Sequence, residues 1–198
     1  RKRLMLVAME QAKARQEGWE IIDTERAFGE ALDGMLISGR IDRIEKNANT
    51  GEVRVLDYKT SNKAKLPADV HWGRFNEKRD GETVPEYGRF LLKEKPHHWK
   101  NLQLPLYAWA LEQEFGVAIS LGYFNIPEVG ADVGISLLEP YDVELSNSAM
   151  ACAKGVVADV KAGRFWPPAS KPDYDDFKGI LFGQATKTAI EPGKEGFA

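Results

Sequence analysis

The segments Gly39-Arg40-Ile41-Asp42-Arg43-Ile44 and Leu56-Asp57-Tyr58-Lys59-Thr60 stand on either side of Asn47-Ala48-Asn49-Thr50-Gly51. The middle stretch is turn chemistry and its flanks are rich in Ile, Val and Leu, so the pattern predicts a hairpin of strands over 35–45 and 53–60. Side chains alternate along a strand, which sends Asp57 and Lys59 to one face and Tyr58 to the other. Asp42, on the neighbouring strand, can then lie near Asp57. Two carboxylates so placed offer oxygen ligands to one Mg²⁺ or Mn²⁺. A lysine beside them can orient or deprotonate an attacking water and steady charge on a phosphate. An Asp-x-Lys triplet alone fits a solvated strand face equally well. Here it ends an otherwise apolar strand and has a second acid in the strand before, a context that favours a site.

Working outward, Leu4, Val7, Ala8, Gln11, Ala12 and Arg15 recur at helical spacing and predict an amphipathic helix over 1–16 that Gly18 closes. Trp19, Ile21, Ile22 and Phe28 predict a strand over 19–28. Residues 61–98 are rich in charge, Gly and Pro and read as one long connection, functional or disordered. Its aromatic residues Trp72 and Phe75, with Trp99 at its end, are candidate stacking surfaces for single-stranded DNA. His71, His97 and His98 read as surface or loop residues. A helix is expected over 99–115, with Pro105 in its first turn or kinking it and Gly116 as its stop, followed by strands over 118–126 and 135–138. A last helix fits 147–162, capped by Ser146, ended by Gly163 and carrying Cys152 as a small core residue. The tail from 164 onward is expected to extend and to pack through Phe165, Trp166, Tyr174, Phe177 and Phe182.

At 198 residues and 43% hydrophobic content the chain suits a single domain over 1–198. Acidic residues outnumber basic ones, 30 to 27, so no overall positive field draws in a polyanion. The balance still allows a polyanion partner, because a metal site concentrates acids locally and positive charge is needed only along the path of the bound strand. One cysteine excludes an internal disulfide and suits a reducing, cytoplasmic setting. No apolar run approaches the roughly 20 residues that span a bilayer, so no membrane is expected as a partner. The opening at Arg1, directly in helix-like sequence, suits a fragment or C-terminal module of a larger protein.

The two strand segments resemble the G-R-I-D-R and D-Y-K-T signature of RecB-like and AddB-like exonuclease domains of the PD-(D/E)XK superfamily. The resemblance covers residues 19 to 182. It implies an α/β (α+β) restriction-endonuclease-like core, with a central mixed β-sheet flanked by helices. Carried over, the metal-binding and water-activating residues are Asp42, Asp57 and Lys59, with the backbone carbonyl of Tyr58 as a further metal ligand. Gln103-Leu104-Pro105-Leu106-Tyr107 resembles the Q-x-x-x-Y element of the same family. Positions four apart share a helix face, so Gln103 and Tyr107 can reach one phosphate or one bound water; without the hairpin they would read as a helix boundary and a core tyrosine. Many relatives add a His or Glu on the helix before the hairpin. This chain has no histidine before His71, and Glu10 and Glu25 are the acids available, Glu25 being kept as a helper to the metal. AddB-like relatives often end in cysteines holding an iron-sulfur cluster, whereas Pro172 and Asp175 stand near those positions here, so no cluster is expected. The implied activity is Mg²⁺- or Mn²⁺-dependent hydrolysis of DNA in repair and recombination, in company with a helicase or helicase-nuclease subunit. The competing reading is a nuclease-like fold kept as a DNA-binding or structural module with weak or absent catalysis.

Overall fold

The structure is a computed structural model and describes residues 2–128 and 132–165. The chain divides into two compact units, residues 1–155 and 156–198. The first opens with helix α1 (Lys2–Gln16) and continues into the long hairpin of β1 (Trp19–Leu32) and β2 (Met35–Asn47). The turn between them is Asp33-Gly34, with φ of 48° and 77°. Positive φ at both positions is what a two-residue hairpin turn matching the strand twist demands, and it carries β1 past the expected end at Phe28.

Strand β3 (Val53–Lys59) returns antiparallel to β2, and helix α4 (Gln103–Phe115) then crosses over to β7 (Ile119–Asn125), which lies parallel to β3. Strand β8 (Gly134–Leu137) completes a five-stranded mixed sheet in the order β1-β2-β3-β7-β8. Gly116, with φ of 63°, ends α4 as expected. The last helix among the described residues, α5 (Val143–Lys161), starts earlier than its sequence suggests, because Asp142 rather than Ser146 caps it: Asp142 Oδ1 accepts the Leu145 N–H at 2.9 Å.

Strand alternation divides the interior. Val53 and Val55 of β3 and Ile119, Leu121 and Tyr123 of β7 join Leu104, Ala108 and Leu111 of α4, and Leu145, Ala149 and Cys152 of α5, in one buried cluster. Leu56 and Phe124 face the other way and pack with Tyr58, Ile126 and Ile135 and with Leu6 and Val7 of α1. Helices therefore cover both faces, as a sheet with two apolar sides requires. Of the second unit, the last turns of α5 and the residues to Phe165 are described; Gly163, with φ of 67°, ends the helix, and the Arg164 guanidinium donates to Asp159 Oδ1. Phe165 is exposed, and the other tail aromatics expected to pack lie outside the described residues.

The stretch 61–98 is not a structureless connection. It folds as α2 (Pro67–His71), β4 (Trp72–Arg74), α3 (Glu77–Asp80), a short 3₁₀ turn, β5 (Arg89–Leu92) and β6 (Lys95–Trp99), with a second sheet in the order β4-β6-β5. Trp72 and Trp99 pair across β4 and β6 and pack edge to face in the main core, where Trp72 meets Phe90 edge to face and Trp99 stacks on it. Their burial leaves them no face for a nucleotide. His71 and His97 are buried too, contrary to their reading as surface residues.

Candidate functional site

The β2–β3 ladder ends at the pair Arg43 and Leu56. One step further the register sets Asp42 opposite Asp57, but there the two strands part, and Asp42 Oδ2 accepts the Tyr58 N–H at 2.9 Å in place of a strand carbonyl. Asp57 and Lys59 lie at the carboxyl end of β3, beside the parallel β7, where open sheets place their ligand sites. Their backbone exit is fixed by Asn125 at the end of β7. Its side chain accepts the Lys65 N–H at 2.8 Å and donates to the Lys65 carbonyl at 3.1 Å, while the Ile126 N–H donates to the Lys59 carbonyl at 2.8 Å.

Asp57 is buried, and burial raises its carboxyl pKa above the ordinary value; the Asp42 charge adds to that rise, while Lys59 and Gln103 oppose it. Lys59 Nζ lies 2.6 Å from Asp57 Oδ2, yet that oxygen makes no aligned hydrogen bond. The other oxygen, Oδ1, accepts Gln103 Nε2 at 2.9 Å. Gln103 Nε2 also donates to the Tyr107 hydroxyl at 3.0 Å, and Tyr107 donates onward to the Arg40 carbonyl at 2.8 Å. Tyr107 thereby ties α4 to the strand that carries Asp42. Burial pushes its phenol pKa up, which keeps it a donor.

The structure thus brings Asp42, Asp57, Lys59, Gln103 and Tyr107 into one connected group, with Tyr58 contributing backbone between the two charged side chains of its strand. Glu25 stands across from Asp42 by register, between the pairs Thr24–Arg43 and Arg26–Ile41, with φ of 52°. Its carboxylate is exposed and turns to the Arg40 guanidinium, 3.5 Å away. Among the described residues no group of three or more His, Cys, Asp or Glu side chains could by itself hold a metal. Two carboxylates, one with a buried oxygen lacking an aligned donor, and a strand carbonyl nevertheless form an all-oxygen donor set that fits a hard divalent cation.

Sequence reasoning missed His71 and Asn101, which lie behind this group. Tyr123, the register partner of Asp57, is 2.9 Å from His71 Nε2 through its hydroxyl, and His71 Nδ1 is 2.8 Å from the Asn101 carbonyl. No local pattern marks them, because their partners are remote in the chain. A cleft of about 570 Å³ lies between the β1–β2 hairpin and α4, lined by Glu30, Asp33, Trp109, Glu114 and Lys154 among others. Its acids disfavour a phosphate, so volume does not locate the chemistry here.

A mixed sheet with opposed acids and a lysine at the end of a central strand, braced by a crossover helix, is the arrangement of a phosphodiester-cleaving fold. The family model for the PD-(D/E)XK nuclease superfamily matches residues 1–178, and the chain belongs to that superfamily. Its nucleases are generally metal-dependent phosphodiesterases. Among solved structures, the chain is similar to a candidate exonuclease from Eubacterium rectale, at 12% identity and a TM-score of 0.44, covering 93% of this chain and 65% of that one. It is also similar to SSO0001, at 18% identity and a TM-score of 0.35, covering 84% of this chain and 60% of that one. The chain therefore spans less than two thirds of the length of either structure. No curated protein matches it significantly. Among the described residues no helix is long and apolar enough to cross a membrane.

Proposed function

We propose that this chain is the nuclease module of a larger DNA-processing protein, a Mg²⁺- or Mn²⁺-dependent deoxyribonuclease acting as an exonuclease in repair and recombination beside a helicase. One observation carries the reading: the register sets Asp42 opposite Asp57 at the end of the β2–β3 ladder, the Asp42 charge acts on the Asp57 carboxyl, and Lys59 and Gln103 both contact that carboxylate. Asp42, Asp57 and the Tyr58 carbonyl would hold the cation, which when bound supplies Lewis-acid stabilisation to the phosphate oxygens. Lys59 Nζ orients the attacking water and meets negative charge gathering on the phosphate. Gln103 fixes the Asp57 carboxylate, and Tyr107 holds the strand that presents Asp42.

End-labelled single- and double-stranded DNA, incubated with Mg²⁺, Mn²⁺ or chelator, tests the proposal. Cleavage is expected only with a cation. Asp57→Asn should lose most activity and regain part of it at high cation concentration, because mass action offsets a weakened ligand. Lys59→Ala should lose roughly 10²- to 10⁴-fold with no such rescue. Equal cutting in chelator, normal rates in both variants, or binding of DNA without cutting would each overturn it.

A further inference from the structure

Tyr123 of β7 is fully buried, and its ring lies beneath the Lys59 ammonium, with Nζ 4.6 Å from the ring centroid. A tyrosine with its hydroxyl in a core needs a partner there, and it has one in His71, itself 0% exposed. The His71 Nδ1 faces the Asn101 carbonyl, an acceptor only, so Nδ1 carries the proton and Nε2 accepts from the Tyr123 hydroxyl. Burial lowers the His71 pKa to about 4, which keeps this tautomer neutral near pH 7. The two segments also clamp each other through backbone, since the Lys100 and Asn101 N–H groups both donate to the His71 carbonyl, at 2.8 and 3.2 Å.

Asn101 serves a second element. Its Oδ1 accepts the Gln103 N–H at 2.7 Å, which anchors the first turn of α4, and Gln103 reaches Asp57. The contacts close a circuit, from Asp57 to Lys59, Tyr123, His71, Asn101, Gln103 and back to Asp57. A lysine side chain has four flexible torsions and needs a fixed surface to hold its ammonium in one place. A phenylalanine at 123 would fill the core equally well, and the buried hydroxyl–imidazole–carbonyl chain adds a defined ring plane.

We infer that Tyr123, His71 and Asn101 are positioning residues that aim Lys59 at the reacting phosphate. The inference rests on the nuclease reading for its chemical meaning and on the contacts above for its geometry. The misplacement of a catalytic group can cost roughly 10²-fold, and Tyr123→Leu is expected to lower kcat by about that factor with KM within about twofold of wild type. Tyr123→Phe keeps the ring and loses only its tether, so its kcat should fall about tenfold. His71→Leu should match Tyr123→Phe, and His71→Gln, which again offers one donor and one acceptor, should recover most of the loss.

A second readout needs no catalysis. The ring current of Tyr123 should shift the Lys59 ε-methylene protons upfield in the metal-free protein, with Lys59→Arg assigning the signal. The shift is expected to vanish in Tyr123→Leu, to shrink alike in Tyr123→Phe and His71→Leu, and to keep its wild-type size in His71→Gln. An ordinary lysine resonance in the folded wild type, or one indifferent to both leucine variants, overturns the inference even if the protein cuts DNA. A shifted, responsive resonance in a protein that never cuts DNA upholds the platform and sinks the nuclease reading instead.

Discussion

Two groups of charge sit on opposite faces of the same hairpin, and their surroundings differ. Beneath α1, Glu45 is shared by two guanidiniums: Arg54 Nε donates to Oε2 at 2.5 Å, Arg43 Nε donates to Oε1 at 2.9 Å, and Arg43 Nη2 bonds the same oxygen. Arg43 lies over Phe124, donates to the Tyr58 hydroxyl and is 2% exposed; Arg54 lies over Trp19 at 3.9 Å. That group is closed, with its one carboxylate oversupplied by cations. On the other face Lys59 pairs with Asp57, Asp42 accepts the Tyr58 N–H, and a buried Asp57 oxygen lacks an aligned donor. A sheet can hold charge for packing or for chemistry, and the ratio of cation to carboxylate separates the two cases. An excess of acid leaves room for a metal.

Removing one carboxylate from each group tests the distinction on stability. Glu45→Ala should destabilise by about 3–5 kcal/mol, because two buried guanidiniums lose their counter-charge, while cleavage per folded molecule stays normal. Asp57→Asn should do the opposite in chelator. Its raised pKa means that ionisation of Asp57 opposes folding, a cost that appears as pH rises through the folded pKa, so the amide should raise the melting temperature near pH 7 and abolish that part of the pH slope. Denaturant and thermal melts of both variants decide it; equal losses in the two would erase the comparison.

A histidine behind the site gives a smaller, pH-limited effect. Its folded pKa, about 4, lies below the ordinary 6.5, so the unfolded chain binds the proton more tightly. Stability should fall as pH drops from about 6.5 to about 4, by up to about 3 kcal/mol, and His71→Gln should flatten that stretch of the curve. Smallest is the loss expected in Gln103→Ala. It removes a hydrogen bond to a charged group, worth about 1.5–3 kcal/mol, and should lower the melting temperature by a few degrees while slowing cleavage at least about tenfold.

What the sequence by itself determined is what short-range geometry controls. Alternation along β3 sends Asp57 and Lys59 to the face of α4 and Tyr58 to that of α1, turn residues at 47–51 close the hairpin, and four-residue spacing puts Gln103 and Tyr107 on one side of a helix. The Asp33-Gly34 turn was legible by the same rules, although the expectation ended β1 short of it. The tertiary structure alone decided the rest. Strands β4, β5 and β6 are too short for a period, their turn at Lys93-Glu94 takes positive φ without Asn or Gly, and Trp72 meets Trp99 only because the chain folds back. The same holds for His71: a polar residue in a charged stretch reads as solvated until a tyrosine from β7 and a carbonyl ahead of α4 converge on its two ring nitrogens. Such partners are set by loop closure between remote segments, and no local pattern in the chain encodes where those segments meet.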